Sequence, residues 1–322
     1  SSYSKWYLNF AKHIVKYLAY LYGNITKSKI KKRGIDFSQI DIIHSNTNRV
    51  DIGAYISKAY RIPHVWHLRE MDEATKGMCY YRKNWSSYMN ENVTKYIAIT
   101  NVVKESWKNK GLDSHKIEVI YNGIDPTSIR VSERKFGNKI KIVSVGRIEK
   151  SKGQEELIAA ICGMNLEEQK RLCIDFIGES YKEYEEKIVR MLKDSNCKAE
   201  VNFKGYSSTV QEDLQKYDIG ITCSPAEAFG RTTVEYMMAK LLVIATNTGA
   251  NPELMEDGVS GLLYEQGDVE SLKQLLEKII NGVYDIEGIR ECGYQQAIKK
   301  FTAERNAKQI YELYHCIYEM KV

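Results

Sequence analysis

The chain has 322 residues, 43% hydrophobic and 28% charged, with four prolines. That length allows two sizeable cores, and the composition excludes disordered and fibrous classes. The net charge of +5 hides an asymmetry. Residues 1–33 hold Lys5, Lys12, Lys16, Lys27, Lys29, Lys31, Lys32 and Arg33 with no Asp or Glu, so the remainder is mildly acidic. A basic arm on an acidic body points to an anionic partner, whether membrane lipid, nucleic acid or acidic glycan. Seven cysteines without a CxxC pair fit reduced thiols in a cytoplasmic protein and argue against zinc. No apolar run is long enough to span a bilayer, and Lys12 and Lys16 break the first apolar stretch, which argues against a signal peptide.

In chain order, residues 5–22 read as a helix with a polar stripe of Lys5, Asn9, Lys12, His13 and Lys16. Alternating strands and helices follow. Strands are expected at 41–45, 64–69, 96–100 and 117–121, with helices at about 50–60 and after 100. The Asn122-Gly123-Ile124-Asp125-Pro126 segment reads as a turn, and polar residues 127–138 as a linker. A second series then begins. Its strands are expected at 140–145, 173–177, 201–203, 219–223 and 242–245. Its helices are expected at 154–162, 182–194, 210–216 and 231–240, with helical segments to the C-terminus. Such alternation favours parallel sheets covered on both faces, hence two doubly wound domains. The boundaries suggested are 1–130, with a C-terminal helix 303–322 crossing back onto it, and 138–302. Ligands of such domains bind beyond the carboxyl ends of strands, so the turns after strands are the places to look for chemistry.

Three turns stand out. Gly146-Arg147-Ile148-Glu149-Lys150-Ser151-Lys152-Gly153 follows a strand and opens a helix, placing two cations where a helix N-terminus favours an anion. A solvated basic turn is the plainer alternative. Ser224-Pro225-Ala226-Glu227-Ala228-Phe229-Gly230-Arg231-Thr232-Thr233-Val234-Glu235 also runs from a strand into a helix. Free amides at its start would seat a diphosphate, and Glu227 and Glu235 could accept from sugar hydroxyls. The same spacing equally suits a first-turn carboxylate and a surface glutamate. The third turn is Thr246-Asn247-Thr248-Gly249-Ala250-Asn251-Pro252-Glu253, followed by Asp257-Gly258-Val259-Ser260-Gly261-Leu262-Leu263.

In this order and spacing the three segments resemble glycosyltransferase family 4, whose pattern is a Gly-Arg…Lys-Gly turn, SPxxExFGxxxxE, and a later G…E…DGxxGLL. The resemblance is strong from about 139 to 275 and consistent from 40 to 125. It implies the GT-B fold, two Rossmann-like domains facing across a cleft, and a retaining transferase that moves a sugar from a nucleotide-sugar, with UDP favoured over GDP. The acceptor would be a saccharide or lipid-linked saccharide of capsule or O-antigen assembly. By this resemblance Arg147 and Lys152, beside Gly146, would hold the donor diphosphate. Glu227 would contact the transferred sugar, and amides around Phe229, Gly230, Arg231 and Thr232 would meet sugar and diphosphate. Glu235 would accept from the ribose, and the Gly205-Tyr206 turn would line the base site. The segment Pro63-His64-Val65-Trp66-His67-Leu68-Arg69-Glu70 resembles a stretch of polysaccharide-assembling members. His67 and Arg69 would then face the transferred sugar, although His67 also suits an ordinary sheet position. His64 is expected to pack, and Arg69 could simply pair with Glu70.

The resemblance also implies a mechanism without an enzyme nucleophile, in which the leaving diphosphate assists the acceptor and the protein supplies position and charge. No Asp-x-Asp pair occurs, so no cofactor and no obligatory metal are expected. One departure from the family is the N-terminus, where the basic helix stands in place of a strand and Gly-rich loop. An incomplete first domain and weak transfer are expected on that account. Residues 1–33 would dock at the inner face of the plasma membrane, placing a cytoplasmic protein there peripherally. Competing readings are a nucleotide-sugar epimerase or glycan phosphorylase of the same plan, a non-catalytic sugar-nucleotide binder, and a nucleic-acid binder. The last has no recognised module, so no nucleic-acid partner is expected.

Overall fold

The computed structural model describes residues 34–47, 51–71, 84–131 and 136–320. The helix expected at 5–22, the basic arm and the expected lack of a Gly-rich loop there lie outside the described residues. The chain divides into two compact units, one ending at Ile120 and resumed at Gln309, the other Tyr121–Lys308.

The first unit is built on four parallel strands in sequential order: β1 (Ile43–Ser45), β2 (His64–Leu68), β3 (Lys95–Ala98) and β4 (Ile117–Val119). Alternation along β2 and β3 sorts their side chains onto two faces. Val65 and Ile97 pack with Ile120 and with Leu313 and Ile317 of the C-terminal helix. Trp66 and Tyr96 take the other face, where Trp66 meets Trp85 and Trp107 at ring-centroid distances of 6.1 Å. Trp85 opens helix α2 (Trp85–Asn92), which was not anticipated from the sequence. Trp107 lies on α3 (Asn101–Asn109), capped by Thr100, whose hydroxyl accepts from Val103 N. Helix α1 (Ile52–Tyr60) joins β1 to β2.

The second unit has six parallel strands in the order β10-β9-β8-β5-β6-β7. Their ranges are β5 (Ile140–Val145), β6 (Leu172–Ile177), β7 (Glu200–Gly205), β8 (Ile219–Thr222), β9 (Leu242–Thr246) and β10 (Leu262–Tyr264). The connections are α4 (Gln154–Cys162), α5 (Leu166–Lys170), α6 (Lys182–Asp194), α7 (Val210–Asp213), α8 (Arg231–Met238) and α9 (Asn251–Leu254). After β10 come α10 (Val269–Ile280), α11 (Ile286–Lys300) and α12 (Ala303–Glu319). Strands β8 and β9 are buried along their whole length, as sheets covered on both faces require. The chain runs outward from β5 through β6 to β7, then returns to lay β8 on β5's other edge. The switch point of the sheet is therefore between the carboxyl ends of β5 and β8.

Segment 121–124 belongs to the second unit because it is tied to the end of α11. Ile124 N donates to Phe301 O, Ala303 N donates to Ile124 O, and Asn306 Nδ2 donates to Tyr121 O. The helix expected at 210–216 is α7 followed by a 3-10 turn, Leu214–Lys216. Among the described residues no helix is long and apolar enough to cross a membrane.

Candidate functional site

The turn after β5 and the turn after β8 meet at the switch point. Gly153 ends the first turn and opens α4 with φ +67, and a Cβ there would lie 2.2 Å from Cys223 O, so only glycine lets the two turns approach. Val145 N donates to the hydroxyl of buried Tyr236 on α8 at 2.7 Å, which pins the end of β5. The second turn rests on the third motif. Ala250 N donates to Glu227 O at 2.9 Å, and Gly249, with φ +58, has its Cα against the Glu227 backbone, where a Cβ would fall 2.6 Å from Glu227 N. Asn251 fastens the motif from below, donating to Thr246 O and accepting from Thr233 Oγ1. All three sequence motifs thus build one locality.

A cavity of about 160 Å³ opens there, lined among others by Gly146, Lys152, Glu227, Arg231 and Thr232. Lys152 Nζ donates to Glu227 Oε1 at 2.6 Å, so the cation expected for a phosphate and the carboxylate expected for a sugar face each other. Gly230, left-handed at φ +76, turns the chain into α8, whose first residues Arg231 and Thr232 line the cavity. Phe229 is buried with its ring edge-on to Phe301, 6.1 Å between centroids, so it anchors the turn while its side chain stays out of the cavity. Thr222 Oγ1, Ser224 Oγ and Gln154 Oε1 are buried with no hydrogen-bond partner among the described residues, and all three residues line this cavity.

Gly146 also lines a second cavity of about 390 Å³, together with Arg147, Gly178, Glu179 and Tyr206. Tyr206 is 75% exposed at its rim. Gly205 supports the wall, its carbonyl accepting from Gly178 N at 2.8 Å. Arg147 therefore stands on the Tyr206 side of Gly146 and Lys152 on the Glu227 side. Arg147 Nη2 lies 3.0 Å from Glu149 Oε1.

Glu235 is set deeper. It is 5% exposed, and its Oε1 accepts from both Arg231 Nε and Gln211 Nε2 at 2.8 Å. Gln211 and Glu149 were not singled out in the sequence. Gln211 stands 24 residues before Glu235, and no local pattern links them.

His67 lies in the first unit, near the carboxyl end of β2, 1% exposed. Among the described residues neither of its ring nitrogens has a hydrogen-bond partner. Burial, then the charge of Arg69 and then His44, lowers its pKa to about 3. The His44 ring lies 5.4 Å away and its Nδ1 makes a short hydrogen bond with the Tyr314 hydroxyl of α12. Arg69 Nε donates to Asn46 Oδ1 at 2.8 Å. His64 packs as expected, with Nε2 at 2.9 Å from Ser45 Oγ and its pKa lowered to about 4, chiefly by burial.

The second unit sets Lys152 and Arg147 beside a helix start, with the Glu227 carboxylate against Lys152, which is the arrangement that an anion site with a neighbouring hydroxyl acceptor would use. Residues 125–295 match the glycosyl transferases group 1 family, and residues 6–128 match glycosyltransferase family 4. An uncharacterized glycosyltransferase of Methanocaldococcus jannaschii is 28% identical over 319 residues, covering 93% of this chain and 83% of that protein. Alpha-maltose-1-phosphate synthase of Mycolicibacterium smegmatis is 24% identical, covering 85% of this chain and 78% of that protein. Among solved structures, Anabaena HepE in complex with UDP superposes with a TM-score of 0.78 at 21% identity, covering 89% of this chain and 81% of HepE. Sucrose-phosphate synthase from Thermosynechococcus elongatus gives 0.72 at 15% identity, covering 92% and 78%. The fold is the two-domain GT-B arrangement of Rossmann-like units, and the chain belongs to the glycosyl transferases group 1 family.

Proposed function

We propose that the protein is a retaining transferase that moves a sugar from a UDP-sugar to a saccharide or lipid-linked saccharide in cell-surface polysaccharide synthesis. The observation that carries this reading is the Lys152–Glu227 pair at the mouth of α8, on the switch point of the second sheet. Lys152, Arg147 and the first amides of α8 neutralise the departing diphosphate, which lowers the barrier to breaking the anomeric bond. Glu227 accepts from hydroxyls of the transferred sugar and orients it. The unpartnered Thr222, Ser224 and Gln154 atoms favour a ligand rich in hydrogen-bonding groups. The second cavity, under Tyr206, takes the base, and Glu235 serves the ribose from beneath. His67, a neutral imidazole with both nitrogens uncommitted, suits a sugar hydroxyl better than a phosphate. UDP is favoured because UDP is the ligand named for HepE.

The reaction needs no cofactor and no obligatory metal, since cationic side chains and amides carry the charge that a metal would otherwise neutralise. The basic residues 1–33 hold the enzyme peripherally at the cytoplasmic face of an anionic membrane, each Lys or Arg contributing roughly 1 kcal/mol near such a surface. Sedimentation with anionic vesicles should be lost when Lys27, Lys29, Lys31 and Lys32 become Glu. The function itself is tested by product analysis with a panel of UDP-sugars, with and without lipid-linked oligosaccharide acceptors. Acceptor-dependent formation of an α-linked product from an α-linked donor is expected. Acceptor-independent interconversion of the donor would instead make the protein an epimerase.

A further inference from the structure

Among the described residues, the three cations that line the two cavities above each lie against a carboxylate: Lys152 against Glu227, Arg231 against Glu235, and Arg147 against Glu149. Glu227 and Glu235 have parts in the reading above. Glu149 has none, yet it is the better fixed member of its pair. It is 17% exposed against 58% for Arg147, and its Oε1 also accepts from Ser151 Oγ at 2.7 Å. Its backbone carbonyl accepts from Lys152 N at 2.9 Å, so it belongs to the same rigid turn as both cations.

We propose that Glu149 sets donor affinity by competing with the diphosphate for Arg147, so that the ligand must displace this carboxylate as it enters. The inference rests on the nucleotide-sugar reading of the site. A carboxylate on the turn stays where it is when an anion arrives, because Ser151 and the backbone hold it, whereas the exposed guanidinium is free to swing. The negative charge then opposes the incoming phosphates and withholds one of the donors that Arg147 would otherwise present. Glu149 therefore weakens binding of any diphosphate, whatever base or sugar it bears, and eases release of the nucleotide product.

The test is calorimetric titration of the whole protein with UDP and with inorganic pyrophosphate. Glu149→Gln keeps the shape and removes the charge. It should bind UDP about two- to fivefold more tightly, the range for a partly exposed ion pair, and pyrophosphate likewise. The gain should shrink as salt is raised from 50 to about 500 mM. It should vanish in the Arg147→Ala background, a result that a general loosening of the turn would not give. Unchanged or weaker UDP binding by Glu149→Gln, or the same gain without Arg147, overturns the proposal while leaving the nucleotide site intact. If neither wild type nor Glu149→Gln binds UDP or pyrophosphate, the site reading fails and takes the proposal with it.

Discussion

The strand ends of the two units solve different problems. In the second unit the polar groups are charged, partly exposed and matched in ion pairs across short turns: Arg147 with Glu149, Lys152 with Glu227. In the first unit β2 carries two buried imidazoles, His64 at its amino end and His67 near its carboxyl end, with their pKa values pressed down to about 4 and about 3, and Arg69 follows the strand. Charges that keep contact with water can be exchanged for those of a ligand at little desolvation cost. A buried imidazole cannot carry charge at neutral pH, and it acts through hydrogen bonds alone. On the proposed reading the second unit takes up the anion, and His67 in the first presents a neutral donor and acceptor.

The contrast breaks most visibly in acid. Both histidines have folded pKa values below the unfolded value of 6.5, so the unfolded chain binds their protons first. Their contribution to stability is complete above about pH 6.5 and is lost as pH falls towards 4 and then 3, at up to about 1.4 kcal/mol per pH unit for each group. His67→Gln should flatten that limb in urea melts taken between pH 7 and 4. A wild-type acid slope in the variant would mean that His67 is not held neutral.

Next in size is the loss of a phosphate contact. Lys152→Met should weaken UDP binding by about 1.5–3 kcal/mol, the worth of a charge-assisted hydrogen bond. His67→Gln should leave UDP affinity as it was and lower transfer. If His67→Gln weakened UDP as much as Lys152→Met, the separation of roles between the units would collapse. Arg147→Lys should not restore an Arg147→Ala defect if the grip on the phosphates is bidentate.

The two glutamates sharpen the contrast within the second unit, at about 0.5–1.5 kcal/mol for one hydrogen bond. Glu235→Ala should weaken UDP with any sugar attached. Glu227→Gln should cut turnover and blur sugar choice while UDP still binds. Equal, unaltered UDP affinity in both would remove the division. The smallest effect expected is that of chelation: if side chains and amides neutralise the diphosphate, as proposed, EDTA should change the transfer rate by less than about twofold. Abolished transfer restored by magnesium would contradict this.

How much of this was written in the sequence depended on the distance over which a contact forms. Strand 140–145 and helices 154–162 and 182–194 lie where periodicity put them, because local pattern and burial agree there. The turn around Gly230 was legible because it runs from a strand end into a helix and carries the SPxxExFGxxxxE pattern within twelve residues. Helix Trp85–Asn92 was not, since its low amphipathicity hides two aromatic contacts supplied by other segments. Strand Leu262–Tyr264 read only as the return after Gly261, being too short to show a period. The Glu235–Gln211 bond and the His44–Tyr314 bond join positions 24 and 270 residues apart, and nothing in a single sequence marks such pairs.

The most direct test of the central claim is a calorimetric titration of the wild-type chain with UDP, UDP-hexoses and the corresponding GDP and ADP compounds. The account predicts one saturable site per chain that prefers UDP, accompanied by a rise in thermal stability that follows RT ln(1 + [L]/Kd). Absence of binding by all of these nucleotides at millimolar concentration would contradict it.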